Sequence, residues 1–356
     1  MTNAIAIAQG GSNNVTFRNK IINGACVIDQ RNAGASITPS TGSSFAVDRF
    51  VFQPSVASKF SLQQNAGSVT PPVGFTNYLG ATSLSAYSIG ASDYFNLGQN
   101  IEGFNFADMQ WGTANAKTIT LSFWVRSSLT GTFGVSFRND NADRNYQASY
   151  TISSANTWEQ KTITVAGDTS GTWTGATNGT GLRLGFGLGI GSTYSTTAGA
   201  WSAGNYFGLT GATSVVGTNT ATFYITGVQL EAGTTASPFE YRQYGTELAL
   251  CQRYCQVIAD SSQQCLGFVN GSQAIFYAYA TLCVPLRASS PSVSYSTTLN
   301  PTTNAANLST VTGINSVGYA PGTTSVKIAY TINSTPSASP CATNTNGGNV
   351  FLTSEL

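Results

Sequence analysis

The sequence predicts an all-β protein: a jelly-roll β-sandwich followed by a short linker helix and a smaller C-terminal β-domain. Only 8% of the 356 residues are charged, about a third of the usual share. Ser, Thr, Asn, Gln and Gly must therefore supply the polar surface, and these residues suit strands and turns. Apolar–polar alternation, interrupted by turn signals about every ten residues, is typical of a sandwich or jelly roll.

The clearest strand lies in residues 117–126. Its odd positions from Ile119 to Val125 are apolar, so Trp124 and Arg126 lie on the opposite face. The turn-rich segment 139–145 predicts a hairpin between the strands on either side of it. Further strands are predicted at 22–28, 46–52, 158–165, 182–190, 220–230, 264–269, 273–284, 292–295 and 325–332.

Four segments follow one another along the chain. Residues 1–20 are polar and Gly/Asn-rich, which indicates an N-terminal arm, with a frayed terminus as the competing interpretation. Residues 21–243 carry the jelly-roll pattern. Residues 244–258 predict a linker helix that Thr246 can cap. Residues 259–356 predict a second, smaller β-sandwich with only four charged side chains, so neutral a surface that it favours an assembled state.

The charge pattern excludes several classes of function. The net charge is +1 and the fifteen basic residues are scattered, whereas nucleic-acid binding needs a basic cluster that displaces counterions. No apolar stretch is long enough to span a bilayer. The first residues lack the basic and apolar regions of a signal peptide. We therefore expect no nucleic acid and no membrane insertion, and folding in the cytoplasm.

The chain contains no histidine, which excludes histidine catalysis and every triad that depends on it. Glycoside hydrolysis needs only two carboxylates, so that route stays open. Its candidates are Asp93 with Glu102 and Asp108, or Asp140 with Asp143. No β-helix repeat of the kind that carries many glycan-degrading spikes is visible. We predict that the protein is not an enzyme.

No metal or other cofactor is predicted. Without histidine or a CxxC motif, the irregular spacing of Cys251, Cys255, Cys265 and Cys283 argues against a zinc site. Buried thiols and disulfides both remain open for the six cysteines. The segment 139–145 offers oxygen ligands for Ca²⁺ but lacks the glycine and terminal glutamate of an EF-hand, which favours a plain hairpin turn.

A set of short motifs occurs in order along the chain: Asn23–Arg31, Val47–Phe50, Gln99–Gly103, Leu121–Arg126, Thr226–Gly233, Pro238–Arg242, Glu247–Tyr254 and, near the end, Val284–Ala288 followed by Pro291. Together they resemble a family of phage and prophage virion proteins of the tail-fibre, head-fibre or carbohydrate-binding type. The resemblance covers about residues 20–295 and includes no catalytic residues.

The resemblance implies a carbohydrate-binding-module-like jelly roll in a structural virion protein of a tailed bacteriophage. Such a fibre or spike would be assembled in the host cytoplasm as a homotrimer. Its arm would join capsid, tail or baseplate proteins, and it would bind host-surface glycans. Two alternatives stay open: a capsid or tail decoration or connector protein with no sugar binding, and a glycan-degrading tail spike.

Aromatic side chains carry the predicted glycan site, because sugar rings present flat C–H faces that stack on them. The long loop 191–207 is rich in such rings, and large aromatics on loops are typical of binding sites. Packing of the same rings under the loop or between subunits is the competing interpretation. The predicted ligand-binding residues are Trp124, Arg126, Trp173, Tyr194, Trp201, Tyr206 and Phe207.

Overall fold

The computed structural model describes residues 17–259, 265–270, 274–295, 299–303, 306–307, 310–320, 322–333, 339–344 and 349–356. The chain divides into two compact units. Unit 1 contains the described residues of the ranges 1–27, 36–44 and 50–242, and unit 2 contains those of 28–35, 45–49 and 243–356. Residues 1–16 of the predicted N-terminal arm lie outside the described residues.

Strands dominate both units, as the sequence predicts. There are two α-helices, α1 (Gly103–Phe106) and α2 (Tyr244–Gln252), among the described residues. The strands are β1 (Ser44–Val47), β2 (Phe50–Pro54), β3 (Phe60–Gln64), β4 (Leu79–Ser83), β5 (Tyr94–Glu102), β6 (Ile119–Ser127), β7 (Gly131–Arg138), β8 (Arg144–Ile152), β9 (Glu159–Val165), β10 (Thr180–Ile190), β11 (Ser195–Thr196), β12 (Trp201–Ala203), β13 (Gly208–Leu209), β14 (Thr222–Ala232), β15 (Cys255–Ala259), β16 (Leu266–Asn270), β17 (Ile275–Thr281), β18 (Ser292–Tyr295), β19 (Asn300–Thr303), β20 (Ala306–Asn307), β21 (Val311–Tyr319), β22 (Ser325–Ile332), β23 (Ser339–Asn344) and β24 (Val350–Thr353).

Unit 1 is a sandwich of two sheets. One sheet has the strand order β3-β4-β14-β6-β9, and the strands of the other sheet that belong to unit 1 have the order β2-β5-β10-β7-β8-β12. Rings from the two sheets meet between them: Phe123 of β6 lies 5.0 Å from Phe186 of β10. Burial of such rings is the main favourable contribution to folding. The predicted jelly-roll sandwich is confirmed.

Strand β10 shows how the sandwich separates its two faces. It pairs with β5 on one side and β7 on the other. Its even-numbered residues from Leu182 to Leu188 are buried in the core. Because side chains alternate along a strand, Arg183, Gly185 and Gly187 are left on the outer face.

The predicted strand at 22–28 is wrong, although its apolar residues are buried. The Gln99 side chain bonds both the amide and the carbonyl of Ile22, each at 2.8 Å, and so replaces a strand partner. The chain then turns at Gly24, where an added Cβ would lie 2.2 Å from the Val228 carbonyl oxygen. Only glycine fits this approach.

Two other predicted elements are divided differently. The segment 46–52 forms two strands, β1 and β2, separated at Arg49, whose φ of 71° is left-handed. The predicted helix at 244–258 ends as α2 at Gln252, and β15 follows. Strand β15 pairs with β24, with Cys255 opposite Thr353. The apolar residues therefore keep a helical spacing beyond Gln252, although the chain there forms a strand that pairs with β24.

Unit 2 is also built from β-sheets. Its sheets have the strand orders β15-β24-β18 and β20-β19-β23-β16-β17-β22-β21. Apolar side chains from both sheets share one core, in which Phe276 stacks on Tyr330 at 5.9 Å. Other members of this core are Ile258, Val269, Leu286, Val326, Ile328, Val350 and Leu352.

A buried ionic network joins the N-terminal segments of unit 2 to the residues that follow its last strand. Arg31 contacts Asp48 at 3.2 Å and Glu355 at 2.9 Å. Arg49 also pairs with Glu355 and lies 3.5 Å from the Tyr254 ring centroid. Removing one member of a buried pair is costly, because its partner is left charged and uncompensated. The network therefore holds these segments together.

Asp48 makes the stability of unit 2 depend on pH. Burial raises the pKa of its carboxyl from 3.8 to about 6, although Arg31 offsets part of the rise. The folded state then binds the proton more tightly than the unfolded state, so stability falls as pH rises from about 4 to about 6. We expect the free energy of unfolding of the wild type, relative to D48N, to fall by up to about 3 kcal/mol over this range.

The measurement is urea unfolding at pH 4, 5, 6 and 7, with hydrogen exchange of β15 and β24 as the readout for unit 2. A difference between the wild type and D48N that stays constant from pH 4 to pH 7 contradicts the prediction.

Candidate functional site

A groove lies on the outer face of the sheet that contains β2, β5, β10 and β7. Its volume is about 240 Å³. Each of these strands contributes a side chain from an outward-facing position, and the loop after β10 supplies the rest. The lining residues are Gln53, Tyr94, Asn96, Arg138, Arg183, Tyr194, Asn205 and Phe207.

A glycine on β10 makes room for the polar floor of the groove. Gly185 lies opposite Gly98 of β5 and Ser136 of β7. A Cβ at Gly185 would lie 2.6 Å from the Asn96 side-chain oxygen and 2.9 Å from the Ser136 hydroxyl. Glycine inside a strand often marks such a close approach. The absence of a side chain therefore lets Asn96 lie over β10.

Aromatic rings form one wall of the groove. Tyr194 stacks on Phe207 with 5.0 Å between ring centroids. Tyr94 meets both rings edge-on, at 5.7 Å from Tyr194 and 5.5 Å from Phe207. The Phe207 amide also donates to the Tyr194 carbonyl at 3.0 Å, and the strands β11 and β13 pair beside it. The loop thus holds its rings in a fixed arrangement.

Two arginines also line the groove. Arg183 forms an ion pair with Asp140 at 2.5 Å. The Arg138 guanidinium lies 4.7 Å from the Phe207 ring centroid and donates to the Asn205 side-chain oxygen. Stacking on a ring stabilises a cation without neutralising it. The groove therefore combines flat apolar faces with fixed hydrogen-bond donors.

Some polar atoms of the groove are left without partners. Among the described residues, neither Nε of Arg138 nor the side-chain oxygen of Asn96 has a hydrogen-bond partner. Burial, and then the nearby Arg183, lower the pKa of Arg138 to about 10, and Asp140 offsets part of this. An unsatisfied buried polar group costs about 1–3 kcal/mol. Such atoms are typical of a site that a ligand completes.

Of the predicted ligand-binding residues, the structure brings Tyr194 and Phe207 into the groove. Tyr206 lies nearby, where its carbonyl accepts a hydrogen bond from Gln147 at 2.9 Å, but it does not line the groove. Trp124 and Arg126 lie on β6 in the other sheet. The Arg126 side chain donates there to the Asn156 carbonyl at 3.0 Å.

Trp173 and Trp201 lie in a cluster of rings built around Trp111. Trp111 is 4.8 Å from Trp173 and 5.0 Å from Trp201. Both outer indoles also donate hydrogen bonds, Trp173 to Asp168 at 3.3 Å and Trp201 to the Ala166 carbonyl at 2.8 Å. These contacts fit the competing interpretation, in which the rings pack against each other.

The sequence reasoning missed most of the polar lining, namely Gln53, Tyr94, Asn96, Arg138, Arg183 and Asn205. One signal was available. Arg138 and Arg183 stand at outward positions of otherwise uncharged strands, in a chain where charges are scarce. That pattern indicates a polar site on the outer face of a sheet.

The candidate acids of a glycosidase are held in local contacts. The hydroxyl of Tyr87 donates to Asp93 at 2.8 Å and lowers the pKa of that carboxyl. Asp108 pairs with Lys20 at 2.8 Å. Asp143 accepts from the Asn139 amide at 2.6 Å. Asp140 forms an ion pair with Arg183. Glu102 is buried in β5.

The described residues contain no group of three or more acidic or cysteine side chains arranged to hold a metal ion. Cys26, Cys251, Cys255 and Cys265 are buried free thiols, and Cys283 is an exposed one. Within the described part of the chain, the helices are too short or too polar to cross a bilayer.

Neither the family models nor the curated proteins include a match to this chain. Among solved structures, the chain is similar to the enzymatically active domain of tailspike protein 4 of bacteriophage CBA120, with 11% identity, a TM-score of 0.30 and 60% of this chain covered. It spans only 21% of that tailspike chain.

Two carbohydrate-binding modules are also similar. A family 4 module has 14% identity and a TM-score of 0.28, with 59% of this chain and 98% of that chain covered. The family 11 module of Clostridium thermocellum, in complex with a mixed-linked tetrasaccharide, has 12% identity and a TM-score of 0.28, with 58% and 100% covered. Because each of these TM-scores lies below 0.5, the fold assignment rests on the strands themselves, and fold likeness does not establish function.

The Trp201 ring packs in the cluster around Trp111, whereas the Tyr194 ring lies in the wall of the groove. Removing these two rings should therefore lower the free energy of unfolding by different amounts. We expect W201A to lower the free energy of unfolding of unit 1 by about 3 kcal/mol, because it removes packing against several rings and a hydrogen bond. Y194A removes a half-exposed ring at the rim and is expected to cost about 1 kcal/mol. Urea unfolding followed by fluorescence of the remaining tryptophans measures both. Equal losses in the two variants would contradict this division.

Proposed function

We propose that unit 1 binds glycans in the outer-sheet groove, and that the protein is a non-enzymatic structural component of a phage virion. The observation that carries the first part is the groove itself. It sets the rings of Tyr194 and Phe207 beside the polar side chains of Asn96, Arg138 and Arg183. A sugar needs both kinds of surface: flat apolar faces for its C–H groups, and planar polar groups for its hydroxyls.

The volume of the groove limits the size of the glycan that it can bind. At about 240 Å³, it is smaller than sites for drug-sized ligands, which are about 300–1,000 Å³. We therefore expect it to bind a chain end or one short stretch of a glycan. The fixed positions of Tyr194, Phe207 and Arg138 keep the entropic cost of binding low.

Binding without cleavage fits the chemistry of the groove. Glycoside hydrolysis uses a pair of carboxyl groups on either side of the scissile bond. The described lining residues include no Asp or Glu. The nearby Asp140 is paired with Arg183. These residues are equipped to hold a sugar and not to transfer a proton to it.

The virion role is drawn from the ordered sequence motifs. In that role the chain is a homotrimeric fibre or spike that adheres to host-surface glycans, with its N-terminal arm on capsid, tail or baseplate proteins. A second candidate is a capsid or tail decoration protein without sugar binding. The exposed side chains of Leu266 and Phe268 in unit 2, which are 71% and 43% accessible, favour an assembled state in either case.

A glycan array with the purified protein, followed by calorimetry on the best ligand, tests the proposal. Y194A and N96A should each weaken binding about tenfold or more, since each removes a contact of about 1.4 kcal/mol or more. The matched control is W124A, which lies on the other sheet and should bind like the wild type.

Two outcomes would overturn the proposal. If W124A abolishes binding while Y194A and N96A leave it unchanged, the groove is not the site. If the protein binds neither glycans nor host cells, yet attaches to virions that lack it, the decoration role replaces adhesion.

A further inference from the structure

Two arginines of the groove face each other directly across neighbouring strands. Arg183 of β10 is the cross-strand partner of Arg138 of β7 in an antiparallel pair. Side chains at such positions have Cβ atoms about 4.5–5.5 Å apart, and like charges placed there are destabilising. In a chain with only 8% charged residues, this pairing is conspicuous.

The surroundings neutralise one of these two charges. Arg183 is paired with Asp140. Arg138 contacts the Phe207 ring and the neutral amide of Asn205. Among the described residues, Arg138 forms no ion pair, and its Nε has no hydrogen-bond partner. Together the three charged groups leave an excess of one positive charge at the groove.

This excess charge is partly removed from water. Burial and the repulsion from Arg183 lower the pKa of Arg138 to about 10. The guanidinium nevertheless stays charged near neutral pH. An anion beside Arg138 would relieve the repulsion and satisfy the free donor, and charge-assisted bonds to Arg are the strong ones.

We propose that the groove selects an acidic glycan, with an anionic group of one sugar residue bound at Arg138. This inference rests on the proposed glycan-binding function. The anionic group, a carboxylate or a sulfate ester, accepts hydrogen bonds from the guanidinium. A hydroxyl of the same sugar donates to the free side-chain oxygen of Asn96, and the ring lies along Tyr194.

The experiment compares matched ligands by calorimetry at low salt. Digalacturonate is tested against neutral galactobiose, and galactose 6-sulfate against galactose. We expect the anionic member of at least one pair to bind about tenfold more tightly or better, which corresponds to about 1.4 kcal/mol. The advantage should shrink as NaCl is raised, because salt screens the interaction. The pair of ligands that shows this advantage identifies the anionic group as a carboxylate or as a sulfate ester.

The variant R138Q tests whether Arg138 is the residue that binds the anionic group. It keeps a hydrogen-bond donor but removes the charge, so we expect the affinity for the anionic ligand to fall about tenfold more than the affinity for its neutral counterpart, which abolishes the preference. The control is R126Q, which removes one arginine from the other sheet and should leave the preference intact. Circular dichroism of each variant verifies that it is folded.

The outcomes separate the two proposals. Equal binding of neutral and anionic ligands, or a preference that R138Q retains, overturns the acidic-glycan inference and leaves glycan binding in place. A protein that binds none of these ligands and no glycan on the array fails both. A salt-sensitive preference that R138Q alone removes supports the inference.

Discussion

The alternation of side chains along β5, β7 and β10 is the constraint on which the rest of unit 1 depends. Phe95, Phe137 and Leu184 must point inward to fill the sandwich. Their neighbours in the chain must then point outward, which places Asn96, Arg138 and Arg183 on one surface. A slip of one residue in any of these pairings would bury the polar side chains and expose the rings. The core therefore positions the groove.

The loop after β10 adds the rings of Tyr194 and Phe207 to the groove. Outward positions near the centre of the sheet are small, as at Gly185, so the strands alone would form a shallow polar surface. The loop folds back and sets Tyr194 and Phe207 beside them. The Phe207 ring has two neighbours there, because it stacks on Tyr194 and also lies next to the Arg138 guanidinium. The charge of Arg138 is stabilised there by contacts that do not neutralise it.

The sequence alone predicted the all-β sandwich and strands such as β6 and β10, because their alternation is local and strict. It failed where a side chain replaced a strand partner, as Gln99 does for Ile22. Helical spacing also misled the prediction after Gln252, where pairing with β24 decides the structure. In each case the deciding contact lies far away in the sequence.

The candidate site was predictable only in part, for the same reason. Aromatic residues in a long loop indicated Tyr194 and Phe207, but the same signal also selected Trp173 and Trp201, which pack around Trp111. The composition of a loop does not distinguish a ring that faces solvent from one that faces another ring. Nor does it show that Arg183 lies opposite Arg138, because that pairing depends on the sheet register.

The central claim is that the groove, and not the outer face of the other sheet, is where a glycan binds. The most direct measurement follows the arginine Nε–H signals by nuclear magnetic resonance while a glycan selected on the array is added. We predict that the signals of Arg138 and Arg183 shift and saturate together, while that of Arg126 stays in place. A shift confined to Arg126, with both groove arginines unchanged, would contradict the account.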